Sequence, residues 1–434
     1  MASLKIAVLG AGSFVFGPSL LSQANLENDL GETEIALMDT DAEALNLIAG
    51  VGRRMVREAR KPIRISTHTE RDTALEGADY VISAAAVQGR ERYEMDYDII
   101  QRYIPGHLVT EFGGVAGISY SLRQIALVMS ITDDMKYYCP DAWLLNIANP
   151  LPRVCQAAEE NGIRTVGFCS VALTAYNKLW QLLRGGSALK YPFTEAIKLW
   201  QMTTAGVNHL SWVLELSDRR TGENLLPTIP QQITQGAHIG QPQTEAMCLE
   251  TGYFLAADDD HIQGFFPSIQ PIQAAHMPFH GDDQERRSRL QLLRDIATDD
   301  EDWHCLLNRV SWERPIDLIA ARETGTAMDF GALNLRNDGQ MPDLPQGVFV
   351  ETPCHVSAEG SLHPTTIRLP ESVAALTQRA AQLNDTIVHA AMQCSRELVH
   401  RAVELDPTIE DKPAGRQAID ACIRAHADLL PHYA

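Results

Sequence analysis

The chain has 434 residues, of which 45% are hydrophobic and 21% are charged, and its formal net charge is −20 at pH 7. This balance excludes an intrinsically disordered chain, and the length predicts two or three folded domains. The strong negative charge argues against a nucleic-acid partner, because nucleic acids carry a dense negative charge of their own.

The N-terminus and the cysteines bear on the cellular compartment. The opening residues MASLKIAVLGAGS contain a short apolar run that lacks the length and the cleavage pattern of a signal peptide. No apolar stretch approaches the roughly 20 residues of a membrane span. The eight cysteines are scattered without a CxxC pair, as expected of reduced thiols. We therefore expect a cytoplasmic protein with no membrane partner.

The first half of the chain alternates strands with helices. Residues 4–9 form an apolar strand that ends in glycines before a helical pattern, and a second strand over 34–38 precedes a long amphipathic helix. Further strand-like runs are IRISTHT, ADYVISAAA, AWLLNIANP and RTVGFCS. This alternation indicates a parallel sheet with right-handed crossovers, so residues 1–190 are predicted to form a Rossmann-type domain.

After about residue 190 the pattern changes to β-rich runs mixed with helices. The predicted elements are helices near 286–298 and 301–323, a strand at VFVETPCHV, and two closing helices over about 370–404 and 410–430. The sequence therefore predicts an α/β protein whose second domain, residues 191–434, is α+β and binds the substrate. A cleft between the two domains is the expected place for a small molecule.

The glycine turn after the first strand points to a dinucleotide. Gly10 and Gly12 allow a tight turn and let the backbone approach a pyrophosphate, which then lies at the positive end of the next helix. Gly17 lies too far beyond Gly12 for a strict GxGxxG motif. Ser13 and Phe14 follow the glycines and are predicted to line the same site. The alternative is an ordinary turn of a parallel sheet.

Asp39 ends the second strand and bears on the choice of cofactor. A carboxylate at this position accepts hydrogen bonds from ribose hydroxyls and repels a 2′-phosphate. The turn and Asp39 together therefore predict NAD rather than NADP. In the alternative interpretation, Asp39 only caps the following helix.

Short motifs follow the glycine turn in a fixed order. They are Asn149-Pro150, Gly167-Phe168-Cys169, Gly206-Val207-Asn208-His209, Val350-Glu351-Thr352-Pro353-Cys354 and Asp406-Pro407. Together with the opening GAGS turn, this ordered set resembles the NAD- and divalent-metal-dependent glycosidases of glycoside hydrolase family 4 over nearly the whole chain. Lactate and malate dehydrogenases share only the first segment.

The resemblance implies a catalytic metal and its ligands. Cys169 and His209 are implied as ligands of a divalent cation, usually manganese in the family, and Asn149 as a contact of the metal-bound substrate or the nicotinamide ribose. A thiolate and an imidazole leave coordination positions open for substrate oxygens, as a catalytic metal requires. The alternative is a buried cysteine and a hydrogen-bonded histidine without a metal.

The acid and base positions depart from the family pattern. Where many members carry Asp-Thr-Leu-Gly-Pro-Gly-Gly, this chain has the stretch EFGGVAG, so Glu111 takes the acidic position and is the candidate general acid. Ser170 follows the implied metal cysteine, and Phe265 stands where many members have a tyrosine. The candidates for the base are Tyr253, Asp259 and Asp260. The aspartates could alternatively belong to a solvated acidic loop.

The implied reaction is an oxidation-driven glycoside cleavage, an exception to the usual two-carboxylate mechanism. In the family scheme, NAD takes a hydride from carbon 3 of the sugar, and the metal stabilises the enediolate formed when carbon 2 loses a proton. The aglycone is then eliminated, water adds, and the hydride returns. Relatives assemble as dimers or tetramers, so a homodimer or homotetramer is expected.

The substrate class stays open among α-glucosides, α-galactosides, uronides and sulfosugar glycosides. Arg90, Arg92 and Arg123 are candidates to pair with an anionic group on carbon 6, with surface solvation as the alternative for the first two. Two other classes of protein compete with a glycosidase. A 2-hydroxy-acid or sugar dehydrogenase would produce NADH in step with product, and a nucleotide-sensing protein would bind NAD without turnover.

Overall fold

The computed structural model describes residues 4–14, 16–185, 193–267, 283–308 and 313–433. The strands are β1 (Leu4–Leu9), β2 (Thr33–Met38), β3 (Ile63–His68), β4 (Tyr80–Ser83), β5 (Trp143–Asn146), β6 (Thr165–Gly167), β7 (Trp200–Val207), β8 (Leu210–Asp218), β9 (Phe254–Leu255), β10 (Met328–Arg336), β11 (Phe349–Val356) and β12 (Leu362–Pro364).

The helices of the described ranges alternate with these strands in the first half and dominate the end of the chain. They are α1 (Gly17–Ser22), α2 (Ala42–Ala59), α3 (Arg71–Leu75), α4 (Gly89–Tyr103), α5 (Gly114–Tyr138), α6 (Leu151–Glu160), α7 (Val171–Arg184), α8 (Phe193–Leu199), α9 (Thr228–Thr234), α10 (Pro242–Thr251), α11 (Asp259–Ile262), α12 (Asp283–Ala297), α13 (Pro315–Thr324), α14 (Glu371–Met392), α15 (Arg396–Leu405) and α16 (Lys412–Ala425). A π-helical turn covers Gln23–Glu27, and 3₁₀ turns cover Trp303–Asn308 and Pro431–Tyr433.

The first six strands form a parallel sheet in the order β3-β2-β1-β4-β5-β6. Alternate residues of β1 belong to apolar clusters on opposite faces of the sheet, so the strand is apolar throughout its buried part. This strand order is that of a dinucleotide-binding Rossmann fold and confirms the predicted α/β class. The order reverses between β1 and β4, where a crevice opens at the carboxyl ends of the strands.

The sheet continues beyond β6 into the second half of the chain. β10 pairs antiparallel with β6 through Asn334 and Gly167, and β11 pairs antiparallel with β7 through Glu351 and Gly206. β8, β9 and β12 extend the same mixed sheet. The Gly-Phe-Cys, Gly-Val-Asn-His and Val-Glu-Thr-Pro-Cys motifs, which are far apart in sequence, therefore lie on or beside neighbouring strands.

The closing helices return to the first half of the molecule. From residue 383 onwards, the apolar side chains of α14, α15 and α16 share one cluster with those of α5, α6, β1 and β4. A division of the chain at residue 190 stays a prediction, because the end of the chain packs against the Rossmann-type segment.

The single helix predicted over 370–404 is wrong, because the chain breaks between α14 and α15. Cys394 adopts a φ of 50°, in the left-handed region that interrupts a helix. The Ser395 hydroxyl then accepts the Leu398 N–H at 3.3 Å and caps the new helix.

Helix α5 is long and apolar. By length and composition alone it could cross a membrane, so the expectation that no stretch approaches a span was too strong. In the structure, 72% of its most apolar window is buried, and it packs against α4, α6, α14 and α16. The apolar character of α5 is that of a central core helix.

Candidate active site

The turn after β1 leaves room for a ligand to approach its backbone. Gly10 has a φ of 76°, and a Cβ at this residue would lie 2.8 Å from the Cα of Ala85. The N–H groups of Gly10 and Ala11 both donate to the Met38 carbonyl at 3.0 Å. Only glycine fits at residue 10 without displacing the loop after β4, which forms the other side of the crevice.

Asp39 follows β2 and lies across this turn. Its Oδ2 accepts the Gly12 N–H at 2.8 Å, and its Oδ1 accepts the Asp41 N–H at 3.0 Å. The cap of α2 is Asp41, whose carboxylate accepts the N–H groups of Glu43 and Ala44. The carboxylate of Asp39 is therefore fixed beside the glycine turn and is not the helix cap.

A cleft of about 310 Å³ opens beside the turn. Its lining includes the predicted cofactor residues Gly10, Gly12, Ser13, Phe14 and Asp39. Arg90 lines it as well, together with Arg286 and Arg289 of α12, which no motif indicated. Guanidinium groups around a glycine turn favour an anionic ligand such as a pyrophosphate.

Cys169 and His209 lie side by side. Cys169 follows β6, and His209 occupies the tight turn between β7 and β8 with a φ of 68°. The distance between Cys169 Sγ and His209 Nε2 is 3.4 Å. The structure therefore brings together two residues that are 40 positions apart in the sequence.

The protonation states of this pair follow from burial. Burial lowers the pKa of the His209 imidazole, and the neighbouring His261 lowers it further. Burial raises the pKa of the Cys169 thiol, and the charges of Glu351 and Glu313 add to the rise. At neutral pH the imidazole is neutral, with a lone pair available, and the thiol needs a nearby cation to ionise.

This geometry fits a divalent cation. Zinc, as a reference divalent cation, has bonds of about 2.3 Å to sulfur and 2.1 Å to nitrogen, which place adjacent ligand atoms about 3.1–3.6 Å apart. The observed 3.4 Å lies within that range. Oδ1 of the adjacent Asn208 is buried and has no hydrogen-bond partner among the described residues. An unpaired buried oxygen on the residue that precedes His209 suits a cation or its bound water.

Glu111 lies in the loop before α5, beside the Asn149 side chain. Asn149 Nδ2 donates to Glu111 Oε1 at 3.2 Å. Burial raises the pKa of Glu111 to about 7, although His261 and the Asn149 hydrogen bond act in the opposite direction. A carboxyl group with a pKa near the working pH can both hold and release a proton, as general acid–base chemistry requires.

A cluster of three rings joins the loop of Glu111 to the cysteine–histidine pair. The Phe112 ring lies edge-on to His209, with centroids 4.1 Å apart, and stacks on His261 at 5.1 Å. His261 Nδ1 lies 2.5 Å from Asp260 Oδ1. Burial alone would lower the pKa of His261, but Asp260 and Glu111 raise it above its usual value. No motif indicated Phe112 or His261.

Comparison with known proteins decides the family. Two family models match the chain: "Family 4 glycosyl hydrolase" over residues 5–184 and "Family 4 glycosyl hydrolase C-terminal domain" over residues 204–409. The chain belongs to glycosyl hydrolase family 4. The resemblance inferred from the ordered motifs is confirmed, and so is the prediction that the protein is an enzyme.

Relatives of this family 4 enzyme act on several sugars, according to their names. The chain is 27% identical to "Alpha-galactosidase" of Bacillus subtilis (strain 168), over 99% of each chain. It is 24% identical to "Maltose-6'-phosphate glucosidase" of the same strain, over 99% of this chain and 97% of the relative. A solved 6-phospho-alpha-glucosidase from gut microorganisms, in complex with NAD and Mn²⁺, has a TM-score of 0.79 at 20% identity and covers 98% and 99% of the two chains. At that identity the structural likeness shows the fold.

In this family 4 enzyme, the base candidates Asp259 and Tyr253 make contacts that are structural. The Asp259 carboxylate accepts the N–H groups of Gln243 and Thr244, at 2.7 and 2.9 Å, and the Thr244 hydroxyl at 2.7 Å. It therefore holds the start of α10, and both oxygens are engaged. Tyr253 packs against the apolar cluster of the second half. Neither arrangement supports a role as base, so that role stays a prediction for both residues.

Two of the three arginines considered for carbon 6 are used inside the protein. Arg92 pairs with Asp428 through contacts of 2.9 and 2.5 Å, and the buried Arg123 pairs with Asp96 at 2.8 Å. The structure contradicts the substrate-binding hypothesis for Arg92 and Arg123. No local pattern indicates the pairing of Arg92, because Asp428 lies far along the chain.

Replacing Asp96 by asparagine is expected to destabilise the fold by about 3–5 kcal/mol, because Arg123 would stay buried without its partner. Burial alone raises the pKa of Asp96, but the hydrogen bond with His426 and the charge of Arg123 hold it below its usual value. The stabilisation is therefore present above the unfolded pKa of about 3.9 and is lost as the pH falls through the lower folded pKa.

Thermal unfolding of the wild type and Asp96→Asn checks this prediction. The difference in Tm should be large at neutral pH and should shrink as the pH falls below about 4. A difference that stays constant across this range would contradict the assigned ionisation.

The loop that carries Glu111 and Phe112 rests on a buried arginine that the motifs did not indicate. Arg153 of α6 donates to the carbonyls of Phe112 and Gly117, at 2.8 and 3.1 Å, and to Asn384 Oδ1 at 2.7 Å. Its burial lowers the pKa of the guanidinium to about 10. This arginine therefore holds the Glu111 loop through the carbonyl of the adjacent Phe112.

The Asp406-Pro407 motif also has a structural explanation. Asp406 is fully buried, and its Oδ2 accepts the Gly114 N–H at 2.8 Å at the first turn of α5. Its Oδ1 accepts the N–H and the hydroxyl of Thr408. The motif therefore anchors the end of the chain to the helix that follows the Glu111 loop.

Proposed function

We propose that this family 4 enzyme is an α-glycosidase that uses NAD as a redox cofactor and a divalent cation, preferably Mn²⁺, at Cys169 and His209. The observation that carries the proposal is the placement of the predicted residues. The glycine turn follows β1, Asp39 follows β2, Asn149 follows β5 and Cys169 follows β6. All lie at the carboxyl ends of parallel strands, where ligands of this fold bind.

Both cofactors have independent support. The cleft beside the glycine turn is lined by the Asp39 carboxylate and by arginine side chains. A dinucleotide needs both, because its ribose hydroxyls donate to a carboxylate and its pyrophosphate pairs with cations. The spacing of Cys169 and His209 suits a metal. The 6-phospho-alpha-glucosidase of the same fold was solved in complex with NAD and Mn²⁺.

The side chains of the site divide the work of the reaction. When bound, NAD accepts and returns a hydride at carbon 3 of the sugar, while the cation acts as a Lewis acid on the neighbouring oxygens. Glu111, with a pKa raised to about 7 by burial, would donate a proton to the oxygen of the departing aglycone. Asn149 would hold the Glu111 carboxyl group through its hydrogen bond and would orient the sugar ring beside that group.

Asp260 is the base candidate that the structure supports best. Its carboxylate contacts His261, and the His261 ring stacks on Phe112 beside His209. We propose that the Asp260–His261 pair accepts the proton from carbon 2 of the sugar. The charge of Asp260 would stabilise the imidazolium formed in that step.

Asp39→Ala is expected to raise the Kd for NAD by about 10–100-fold, because losing a charged hydrogen-bond acceptor costs about 1.5–3 kcal/mol. The preference for NAD over NADP should narrow at the same time, since the repulsive carboxylate is gone. Fluorescence titration with both nucleotides measures these changes. Asp411→Ala, which removes the helix cap of α16 and does not line the cleft, is the matched control and should leave both Kd values nearly unchanged.

The substrate is proposed to be an α-glycoside, with an α-galactoside as the first compound to test. The 27% identity to an α-galactosidase over 99% of both chains supports that choice. The group on carbon 6 is left to the experiment, because Arg92 and Arg123 are engaged elsewhere. A panel of p-nitrophenyl α-galactoside, α-glucoside, their 6-phosphates, the matching uronides and a 6-sulfo-sugar glycoside covers the classes considered.

The panel is assayed with Mn²⁺ and with NAD at a small fraction of the substrate concentration. The proposal predicts many nitrophenol molecules released per NAD, no accumulation of NADH, and loss of activity after chelation of the metal. NADH formed in proportion to product would instead indicate a dehydrogenase. Tight NAD binding without turnover on the panel would indicate a nucleotide-sensing protein and would overturn the proposal. A homodimer or homotetramer stays a prediction.

A further inference from the structure

We propose that Glu351 is a positioning residue whose buried negative charge sets the affinity of the Cys169–His209 pair for its cation. This inference rests on the proposed function, because it takes that pair to be a metal site. Glu351 lies on β11, opposite Gly206 of the strand that leads into the His209 turn. Glu351 belongs to the Val-Glu-Thr-Pro-Cys motif, but the sequence did not indicate a role for it.

The Glu351 side chain is completely buried and is held by three donors. Its Oε2 accepts Asn208 Nδ2 at 3.0 Å and Asn334 Nδ2 at 2.9 Å, and its Oε1 accepts the Ser211 hydroxyl at 2.6 Å. Every one of these bonds is donated to the carboxylate, so the set suits an ionised group. Asn208 and Ser211 flank His209 and its turn, so the carboxylate holds both sides of that turn.

These donors are all neutral, which leaves the charge of Glu351 uncompensated. Among the described residues, no lysine, arginine or histidine forms an ion pair with Glu351, and the buried Lys178 and Arg123 pair with other carboxylates. The buried Asp96, by contrast, has Arg123 as a partner. A carboxylate without a counter-charge is costly in a protein interior. A divalent cation bound by Cys169 and His209 would supply the missing positive charge.

The Glu351 carboxylate lies close to a proposed metal ligand, because Asn208, which donates Nδ2 to Oε2 at 3.0 Å, directly precedes His209. The same carboxylate fixes the orientation of the Asn208 amide. Because Nδ2 faces Glu351, Oδ1 points elsewhere, and it is buried without a hydrogen-bond partner in the described ranges. Glu351 therefore contributes a buried negative charge and fixes the amide of the residue that precedes His209.

The test measures Mn²⁺ binding to the full-length protein by the electron paramagnetic resonance signal of free Mn²⁺. Glu351→Gln keeps the size of the side chain and removes its charge, and we expect it to raise the Kd for Mn²⁺ by about 10–100-fold, the usual effect of losing a group that supports a metal ligand. Asp96→Asn is the matched control. It removes another buried carboxylate and should lower the Tm while leaving the Kd for Mn²⁺ unchanged.

A charge-relocation variant separates this role from a structural one. Asn334→Asp combined with Glu351→Gln exchanges the acid and the amide across a contact of 2.9 Å, so the charge and the hydrogen bond are both kept. This double variant should bind Mn²⁺ within about threefold of the wild type. It also keeps the proposal testable if Glu351→Gln alone does not fold.

The outcomes separate the two proposals. Wild-type affinity in Glu351→Gln, or a folded double variant that has lost Mn²⁺ binding, would overturn the role of Glu351 and leave the metal site in place. A wild-type protein that binds no Mn²⁺ would overturn the metal site and the role of Glu351 together.

Discussion

The double variant Cys169→Ser with His209→Ala is expected to lose at least about 10³-fold in kcat/KM for the best aryl glycoside, equivalent to about 4 kcal/mol of transition-state stabilisation. The reason is the loss of both protein ligands of the cation. In the proposed reaction these two residues would hold the cation that supplies Lewis-acid stabilisation beside carbon 2 of the sugar. Binding of NAD should persist, because the glycine turn and Asp39 do not depend on this pair.

Several measurements make this result specific. Mn²⁺ titration should show loss of the high-affinity site, and NAD titration should give the wild-type Kd. Cys248→Ser is the control, because Cys248 is a buried cysteine on α10 and was not assigned to the site. Full glycosidase activity in the double variant would rule out the metal role of Cys169 and His209.

The second large effect is expected for Glu111→Gln, which should lower kcat/KM by about 10²–10⁴-fold with a poor leaving group. Glutamine keeps a hydrogen bond with Asn149 but cannot donate a proton to the departing oxygen. The loss should become smaller as the aglycone becomes more acidic, since a good leaving group needs no acid. Comparing methyl, phenyl and dinitrophenyl glycosides measures this dependence.

The pH profile checks the same assignment. Burial raises the pKa of Glu111 to about 7. A general acid works in its protonated form, so kcat/KM of the wild type should fall as the pH rises above about 7. Glu111→Gln should lack that fall. Glu159→Gln, which changes a carboxyl group at the far end of α6, should keep it. A leaving-group dependence identical in the wild type and Glu111→Gln would show that Glu111 is not the acid.

The sequence predicted the parts of the site that are encoded locally. The glycine turn and Asp39 belong to one strand–helix–strand unit, so their spacing was enough to place them. Cys169 and His209 were found through family motifs. Their closeness depends on β6, β10, β11 and β7 lying side by side, and no local pattern shows that order.

Residues that act through distant contacts could not be predicted. Arg153 and Glu351 are buried charged residues whose partners come from other elements of the chain. Arg286 and Arg289 reach the cofactor cleft because α12 packs on α2, although the two helices lie far apart in the sequence. His261 directly follows Asp259 and Asp260, and the sequence indicated only these aspartates as candidates for the base.

The wrong assignments of Arg92 and Arg123 have a common physical cause. Both arginines carry a charge that suits substrate binding, but both pair with carboxylates within the fold. The groups that surround a charged residue decide whether its role is structural or chemical. Only the three-dimensional arrangement distinguishes these two uses.

The most direct test of the account is the fate of the hydrogen on carbon 2 of the released sugar. The best substrate of the panel is turned over in D₂O with Mn²⁺ and NAD, and the sugar product is examined by NMR. In the proposed reaction, carbon 2 loses its proton to the base and later takes one back. When the base has exchanged fully with D₂O, we expect deuterium at carbon 2 of every product molecule. Aglycone release that leaves the original hydrogen on carbon 2, with equal activity in the absence of NAD, would contradict it.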